Sequence, residues 1–195
     1  MTRVLTITTV LLLGAVLAMG GYLTVLRRNE RKRVQEVSET RPISAPIAGP
    51  ASNVTLYVAD DQQGLVRAQE ASITLPADPV ERSREVVRAL LGEYVKRPSS
   101  HELAAGADVK GVFLVNENMA VVDTTTPFAE GHRSGVLVET LTVTSLVKTL
   151  AANLPGVTRV KILVDGKERE TLAGHADLER FYDVAAMEQL FQQLR

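Results

Sequence analysis

Val109-Lys110-Gly111-Val112-Phe113-Leu114-Val115, then Asn116-Glu117-Asn118, then Met119-Ala120-Val121-Val122-Asp123 is the stretch whose reading decides the fold. Both flanking runs are short and rich in valine, as strands are. A three-residue connection with two asparagines suits only an antiparallel hairpin. The sheet therefore contains neighbouring strands that reverse direction, and the other elements have to be placed around this hairpin.

Upstream, Asp78-Pro79-Val80-Glu81 marks a helix start: Asp78 at the N-cap, Pro79 at N1 and Glu81 at N3, completing a capping box. Val86, Val87, Leu90, Leu91, Tyr94 and Val95 recur at helical spacing, Lys96 and Arg97 suit the C-terminal dipole, and Pro98 stops the helix. Before it, residues 54–58 alternate as a strand, Asp61-Gln62-Gln63-Gly64 supplies turn chemistry, and residues 71–75 form a weaker strand. Downstream, the spacing predicts a helix from about Ser134 to Asn153. Leu137, Leu141, Leu146, Val147, Leu150, Ala151 and Leu154 give it a broad apolar face, and Pro155-Gly156 ends it. Residues 160–164 are the last strand, closed by Asp165-Gly166, and a short helix with Met187, Leu190, Phe191 and Leu194 on one side finishes the chain. The order β-β-α-β-β-α-β-α gives an α+β fold: a mostly antiparallel sheet with two helices packed on one face.

Residues 4–26 carry no charge, with Arg3 before them and Arg27, Arg28, Arg31, Lys32 and Arg33 behind. As a helix this run spans roughly 34 Å, enough for a hydrocarbon core of ~30 Å. One reading is a cleaved signal peptide, with residues 4–17 as its apolar core and Ala18-Met19-Gly20 at the exit; the other is an uncleaved transmembrane anchor. Secretory cores run about 7–15 residues, so the continuation through Tyr22, Leu23, Val25 and Leu26 favours the anchor. Arg41 to Ser52 reads RPISAPIAGPAS, a Pro-rich tether. The domains are then a transmembrane anchor over 1–28, a charged and Pro-rich tether over 29–52, an α+β domain over 53–182 and a C-terminal helix over 183–195.

The chain has no cysteine, which removes disulfides, thiolate metal sites and a lipidated cysteine. A net charge of −1 argues against a nucleic-acid partner. His101, His132 and His175 are too far apart in sequence for a zinc motif and read as solvated or capping side chains, so no metal or other cofactor is expected. Asp123, Asp165 and Asp177 are the carboxylates that acid–base chemistry would draw on, but an Asp at a strand end more often serves a turn. Ser145-Leu146-Val147-Lys148 has the S-x-x-K shape, yet it lies mid-helix without the SDN and KTG partners. No G-x-S-x-G and no Gly-rich phosphate loop occurs. No catalytic residue is assigned, and the binding residues stay unassigned.

From Val54 onward the chain resembles the GerMN domain, the sporulation and spore-germination module. The resemblance is carried by Val54-Thr55-Leu56-Tyr57-Val58-Ala59-Asp60, by Arg88-Ala89-Leu90-Leu91-Gly92 with Arg97-Pro98, and by Gly106, Gly111-Val112 and Ala120-Val121-Val122-Asp123. It continues in Ser145-Leu146-Val147-Lys148-Thr149-Leu150, Asn153-Leu154-Pro155-Gly156-Val157, Val160-Lys161-Ile162-Leu163-Val164-Asp165-Gly166-Lys167 and Gly174-His175-Ala176-Asp177-Leu178. It implies a small extracytoplasmic α+β domain without established catalysis, associated with envelope assembly. The sporulation protein of that family is a tandem copy on a lipoprotein, whereas this chain shows one copy behind an apolar helix, so a role in sporulation does not carry over. The positive-inside rule pulls the other way, because the basic cluster follows the apolar run. The resemblance is given the greater weight.

These readings lead to a single-pass membrane protein whose domain, outside the cytoplasm, binds an envelope protein or peptidoglycan and performs no chemistry. Sheet edges also offer a route to self-association. The alternatives are an envelope enzyme such as a wall hydrolase using Asp123, Asp165 or Asp177, and a cytoplasm-facing regulatory module.

Overall fold

The computed structural model describes residues 50–116 and 118–192, so the apolar run 4–26 and the tether as far as residue 49 lie outside the described residues. Among the described residues no helix is long and apolar enough to cross a membrane.

The expected hairpin is present. β3 (Val109–Val115) and β4 (Met119–Thr124) pair antiparallel, and Asn116 takes the left-handed φ of 51° that the short connection needs. The register slips by one residue between Val109 and Gly111, so Lys110 is the extra residue of a bulge. β1 (Ala51–Asp60) and β2 (Leu65–Thr74) form a second hairpin around the turn read at residues 61–64. β1 starts inside the stretch assigned to the tether, and β2 is longer than the weak signal at residues 71–75 suggested. Arg67, Gln69 and Glu70, exposed on its two faces, dilute the apolar alternation.

α1 (Pro79–Val95) begins where expected, with the Asp78 carboxylate accepting from the N–H groups of Val80 and Glu81. The capping box is not closed by Glu81, whose carboxylate pairs with Arg84 one turn on. A five-residue helix, α2 (Thr126–Glu130), follows β4, and then α3 (Val136–Asn153) starts two residues later than read. β5 (Arg159–Val164), the two-residue β6 (Tyr182–Asp183) and α4 (Val184–Phe191) complete the order. α4 is capped by Asp183, which accepts from Ala186 N.

The α+β class holds and most strand pairings are antiparallel as expected, but the expectation of one sheet covered by two helices needs correction. Among the described residues there are two sheets, β1-β2 and β3-β4-β5-β6, and in the second β4 and β5 run parallel. The cause is α3: a helix of 18 residues carries the chain back along the sheet, so the next strand enters in the same direction. The described residues hold four helices, and α3 is no surface helix. From Leu141 to Leu150 every residue is buried, because β1, α1 and α4 all pack against it. Leu137, read as part of its apolar face, is instead 47% exposed, since the enclosed part begins a turn later.

The core joins Leu56 of β1, Val87, Leu90 and Leu91 of α1, Val112, Val122, Val160 and Ile162 of the second sheet, and Leu141, Leu146 and Leu150 of α3. Leu90 and Leu150 are both fully buried, as the helix faces require.

Candidate functional site

An enclosed helix with polar residues must find each of them a partner. α3 carries Glu139, Thr142, Thr144, Ser145, Lys148 and Thr149 among its buried residues. Only the Thr144 hydroxyl has no partner among the buried side-chain atoms of the described residues.

The first set lies along β1. Asn153 Oδ1 accepts from Thr55 N at 3.1 Å, while its Nδ2 donates to Thr55 O at 2.8 Å. Thr149 Oγ1 accepts from Tyr57 N at 2.9 Å, and Ser145 Oγ donates to Tyr57 O. Tyr94 and Ser100 continue the row: the tyrosine hydroxyl accepts from Ala59 N and the serine hydroxyl donates to Ala59 O, each at 2.9 Å. Residues 145, 149 and 153 recur every fourth position, so one stripe of the helix does what a further strand would do for the free edge of β1. The S-x-x-K string is thereby explained without chemistry. Ser145 serves Tyr57 and Tyr94, whereas Lys148 pairs with Glu188 and sits between the rings of Tyr57 and Phe191, 4.8 and 4.6 Å from their centroids. Burial pushes the Tyr94 hydroxyl well above the ordinary tyrosine range.

The second set is a chain through two histidines that the sequence reading took as solvated or capping. His101 and His132 are both buried, and Thr142 Oγ1 lies 2.8 Å from His101 Nε2 and 2.7 Å from His132 Nε2. His101 Nδ1 is 2.6 Å from Asp61 Oδ1, and Asp61 also pairs with Arg133 at 3.2 Å. His132 Nδ1 donates to Arg133 O at 2.7 Å. Asp61, His101 and Thr142 have the order of a carboxylate–imidazole–hydroxyl relay. Thr142 is only 1% exposed and already touches three groups, so its hydroxyl cannot meet a substrate in this conformation. Burial, with the neighbouring His101, holds the His132 imidazole below its ordinary range. The carbonyl of Arg133 and the carboxylate of Asp61 each take an Nδ1 proton. Both Nε2 atoms then face the one Thr142 hydroxyl, which also reaches Val138 O at 3.0 Å.

The third set is centred on Glu139, which is 0% exposed. Its carboxylate accepts from the N–H groups of Gly135, Ala173, His175 and Ala176 and from His175 Nδ1, at 2.8–3.1 Å. Burial alone would raise its pKa, but the donors of Ala176, His175 and Gly135 outweigh it and hold the group at about 2. Thus one carboxylate ties the loop after β5 to the start of α3. Beside it lies a cavity of about 200 Å³ lined by Val136, Val143, Met187 and Leu190 and by Asp177 and Arg180. A second cavity, about 330 Å³, lies at the base of the first hairpin between Val54, Leu75, Arg82, Val86 and Leu154.

The three weighed carboxylates are divided. Asp123 and Asp165 come together at the adjacent ends of the parallel strands β4 and β5. Asp123 Oδ1 accepts from Gly166 N at 2.6 Å, and Asp165 binds Lys110 at 2.9 Å and the Thr126 hydroxyl. Those two contacts hold the Asp165 carboxyl below its usual range, Thr126 contributing most, and Asp165 draws the Lys110 ammonium up. Asp165 and Gly166 take φ of 51° and 71°, a tight left-handed turn. Neither Asp lines either cavity, whereas Asp177, far along the loop, lines the first. Among the described residues no group of His, Asp and Glu is arranged to hold a metal ion.

The second sheet has one face in the core. On the other, the register sets Phe113 beside Val121 and Val121 beside Lys161, whose ammonium lies 5.5 Å from the Phe181 ring; Arg159 reaches the same ring at 5.7 Å. Phe113 is 53% and Phe181 48% exposed. Nothing in the alternation of β3 marked Phe113 as outward, because every neighbour but Lys110 and Gly111 is apolar. The stripe Ser145, Thr149 and Asn153 was visible as polar residues four apart on an apolar helix.

An α+β domain of two small sheets around an enclosed helix, with its polar side chains committed to its own backbone, is thus the class that the geometry defines. The family described as Germane: Sporulation and spore germination matches residues 55–170, more than half of the chain, and the protein belongs to that family. No curated protein matches it. The chain is similar to the first GerMN domain of the sporulation protein GerM from Bacillus subtilis, at 17% identity over 65% of this chain and 92% of that one, with a TM-score of 0.44. It is similar also to the tandem GerMN domains of GerM, at 19% identity over 66% of this chain and 44% of that one, with a TM-score of 0.48. A protein from Clostridium perfringens described as a lipoprotein is similar at 16% identity over 73% of this chain and 93% of that one, with a TM-score of 0.41.

Proposed function

We propose that the protein is a membrane-anchored, extracytoplasmic binding module that engages an envelope partner, a protein scaffold or peptidoglycan, without performing chemistry on it. The observation that carries this reading is the pair of exposed rings Phe113 and Phe181 on the outer face of the second sheet, with Val121 and Arg159 beside them; Lys161, which also meets the Phe181 ring, is itself buried and paired with Glu168. Aromatic and arginine side chains are what interfaces concentrate, and two half-exposed phenylalanines on one sheet face leave apolar area for a partner to cover. Self-association through an edge would use β2 or β3 rather than β1, whose edge is already occupied by side chains of α3 and α1. Attachment rests on residues 4–26. With no cysteine in the chain, a lipid on cysteine is not available.

The test has two arms. A reporter fused after Arg195 is expected to be active outside the cytoplasm; activity only inside would support a cytoplasm-facing module instead. The full chain incubated with isolated cell wall is expected to release no muropeptides. Release that disappears in Asp123→Asn or Asp165→Asn would make the protein a hydrolase.

A further inference from the structure

Asp177 and Arg180 line the cavity beside α3; Asp177 Oδ1 accepts from Glu179 N at 2.8 Å and Arg180 lies over the Tyr182 ring, yet among the described residues neither is within ion-pair distance of the other or of any opposite charge. We propose that this cavity binds an apolar α-amino acid as its zwitterion: carboxylate to Arg180, ammonium to Asp177, side chain against Val136, Val143, Met187 and Leu190.

Three features fit that class. The first is charge. A guanidinium presents a planar fork that matches a carboxylate, and an ammonium brings three donors to an acceptor that carries negative charge. A ligand with one charge of each sign answers both groups, whereas a simple anion or cation leaves one of them opposed. The second is size. At roughly 30 Å³ per water, a volume of about 200 Å³ admits a ligand of about seven to ten non-hydrogen atoms, the size of valine or leucine. It is below the usual range for larger cofactors, about 300–1,000 Å³.

The third is that the wall is built before any ligand arrives. The Glu139 carboxylate fixes the N–H groups of Ala173, His175 and Ala176. Leu178 N donates to Glu170 O, and the Tyr182 hydroxyl donates to Asp177 O at 2.7 Å, which sets the backbone at Asp177. The Arg180 guanidinium is stacked 4.7 Å from the centre of the Tyr182 ring. Val136, 66% exposed, adds an apolar side chain to the lining. A wall already ordered spares a small ligand the cost of ordering it. The cavity is separate from the sheet face around Phe113, so the two readings stand or fall independently.

The experiment is calorimetric titration of L-leucine, L-valine and L-alanine into the full chain in detergent micelles. Saturable binding of leucine is expected, weakened about tenfold or more by Arg180→Gln and by Asp177→Asn separately. Both side chains are exposed, so the variants keep the fold, which unchanged circular dichroism confirms. Leucinamide, which lacks the carboxylate, should bind weakly and lose sensitivity to Arg180→Gln. 4-Methylpentanoate, which lacks the ammonium, should lose sensitivity to Asp177→Asn. Failure of all three amino acids to bind, or leucine binding that both variants leave unchanged, would overturn the assignment.

Discussion

Glu139 concentrates more hydrogen bonds than any other acceptor described above, and it does so with no exposure to water. Its folded pKa, about 2, lies below the 4.5 of the free group, so its contribution to stability is complete above pH 4.5 and is lost as pH falls toward 2. His132 acts in the same direction at higher pH. Burial lowers it from 6.5, so the unfolded chain takes up its proton first, and stability begins to fall as pH drops below 6.5. Acid denaturation should therefore show two regions, and Glu139→Gln should remove the lower one while costing roughly 2–4 kcal/mol at neutral pH, read by urea melts at several pH values. An unaltered acid limb in that variant would contradict the role given to Glu139. Thr142→Val should cost about 2–4 kcal/mol, because it leaves two buried ring nitrogens without their shared hydroxyl. Thr144→Val should be neutral or slightly stabilising in the same melts, since that hydroxyl is buried without a partner.

At the level of elements, α3 is the organising piece, and the sequence showed it in part. Its length, its apolar residues and its end at Pro155-Gly156 were legible because helical periodicity is local. The hairpin at Asn116 to Asn118 was legible for the same reason. The parallel pairing of β4 with β5 was missed, since nothing within either strand encodes the direction of a neighbour reached across a helix. The burial of His101 and His132 was missed too: they lie in loops, and only the fold brings both to Thr142. The edge-filling stripe makes a sharp prediction. Asn153→Leu leaves both Thr55 N and Thr55 O without their partner and should destabilise by about 2–4 kcal/mol, with increased amide exchange confined first to β1. A leucine that costs nothing there would mean that water serves that edge equally well. Leu90→Ala and Leu150→Ala, each from a fully buried site, should cost about 2–5 kcal/mol in thermal or chemical melts.

For the whole molecule, the polar side chains turned inward are committed to structure, and the apolar ones turned outward are not. Asp61, His101, Thr142 and Ser145 face the interior, while Phe113 and Phe181 face solvent on one side of the second sheet. The most direct measurement is site-specific photo-crosslinking in intact cells, with the reactive side chain placed at Phe113 or, as a control, at Glu81 on α1. Position 113 is expected to give a discrete adduct, either a protein band or retention on the cell wall that muramidase releases. Arg159→Glu should diminish that adduct, and Glu81 should give none. Equal labelling from both positions, or none from Phe113, would contradict the sheet face as the binding surface.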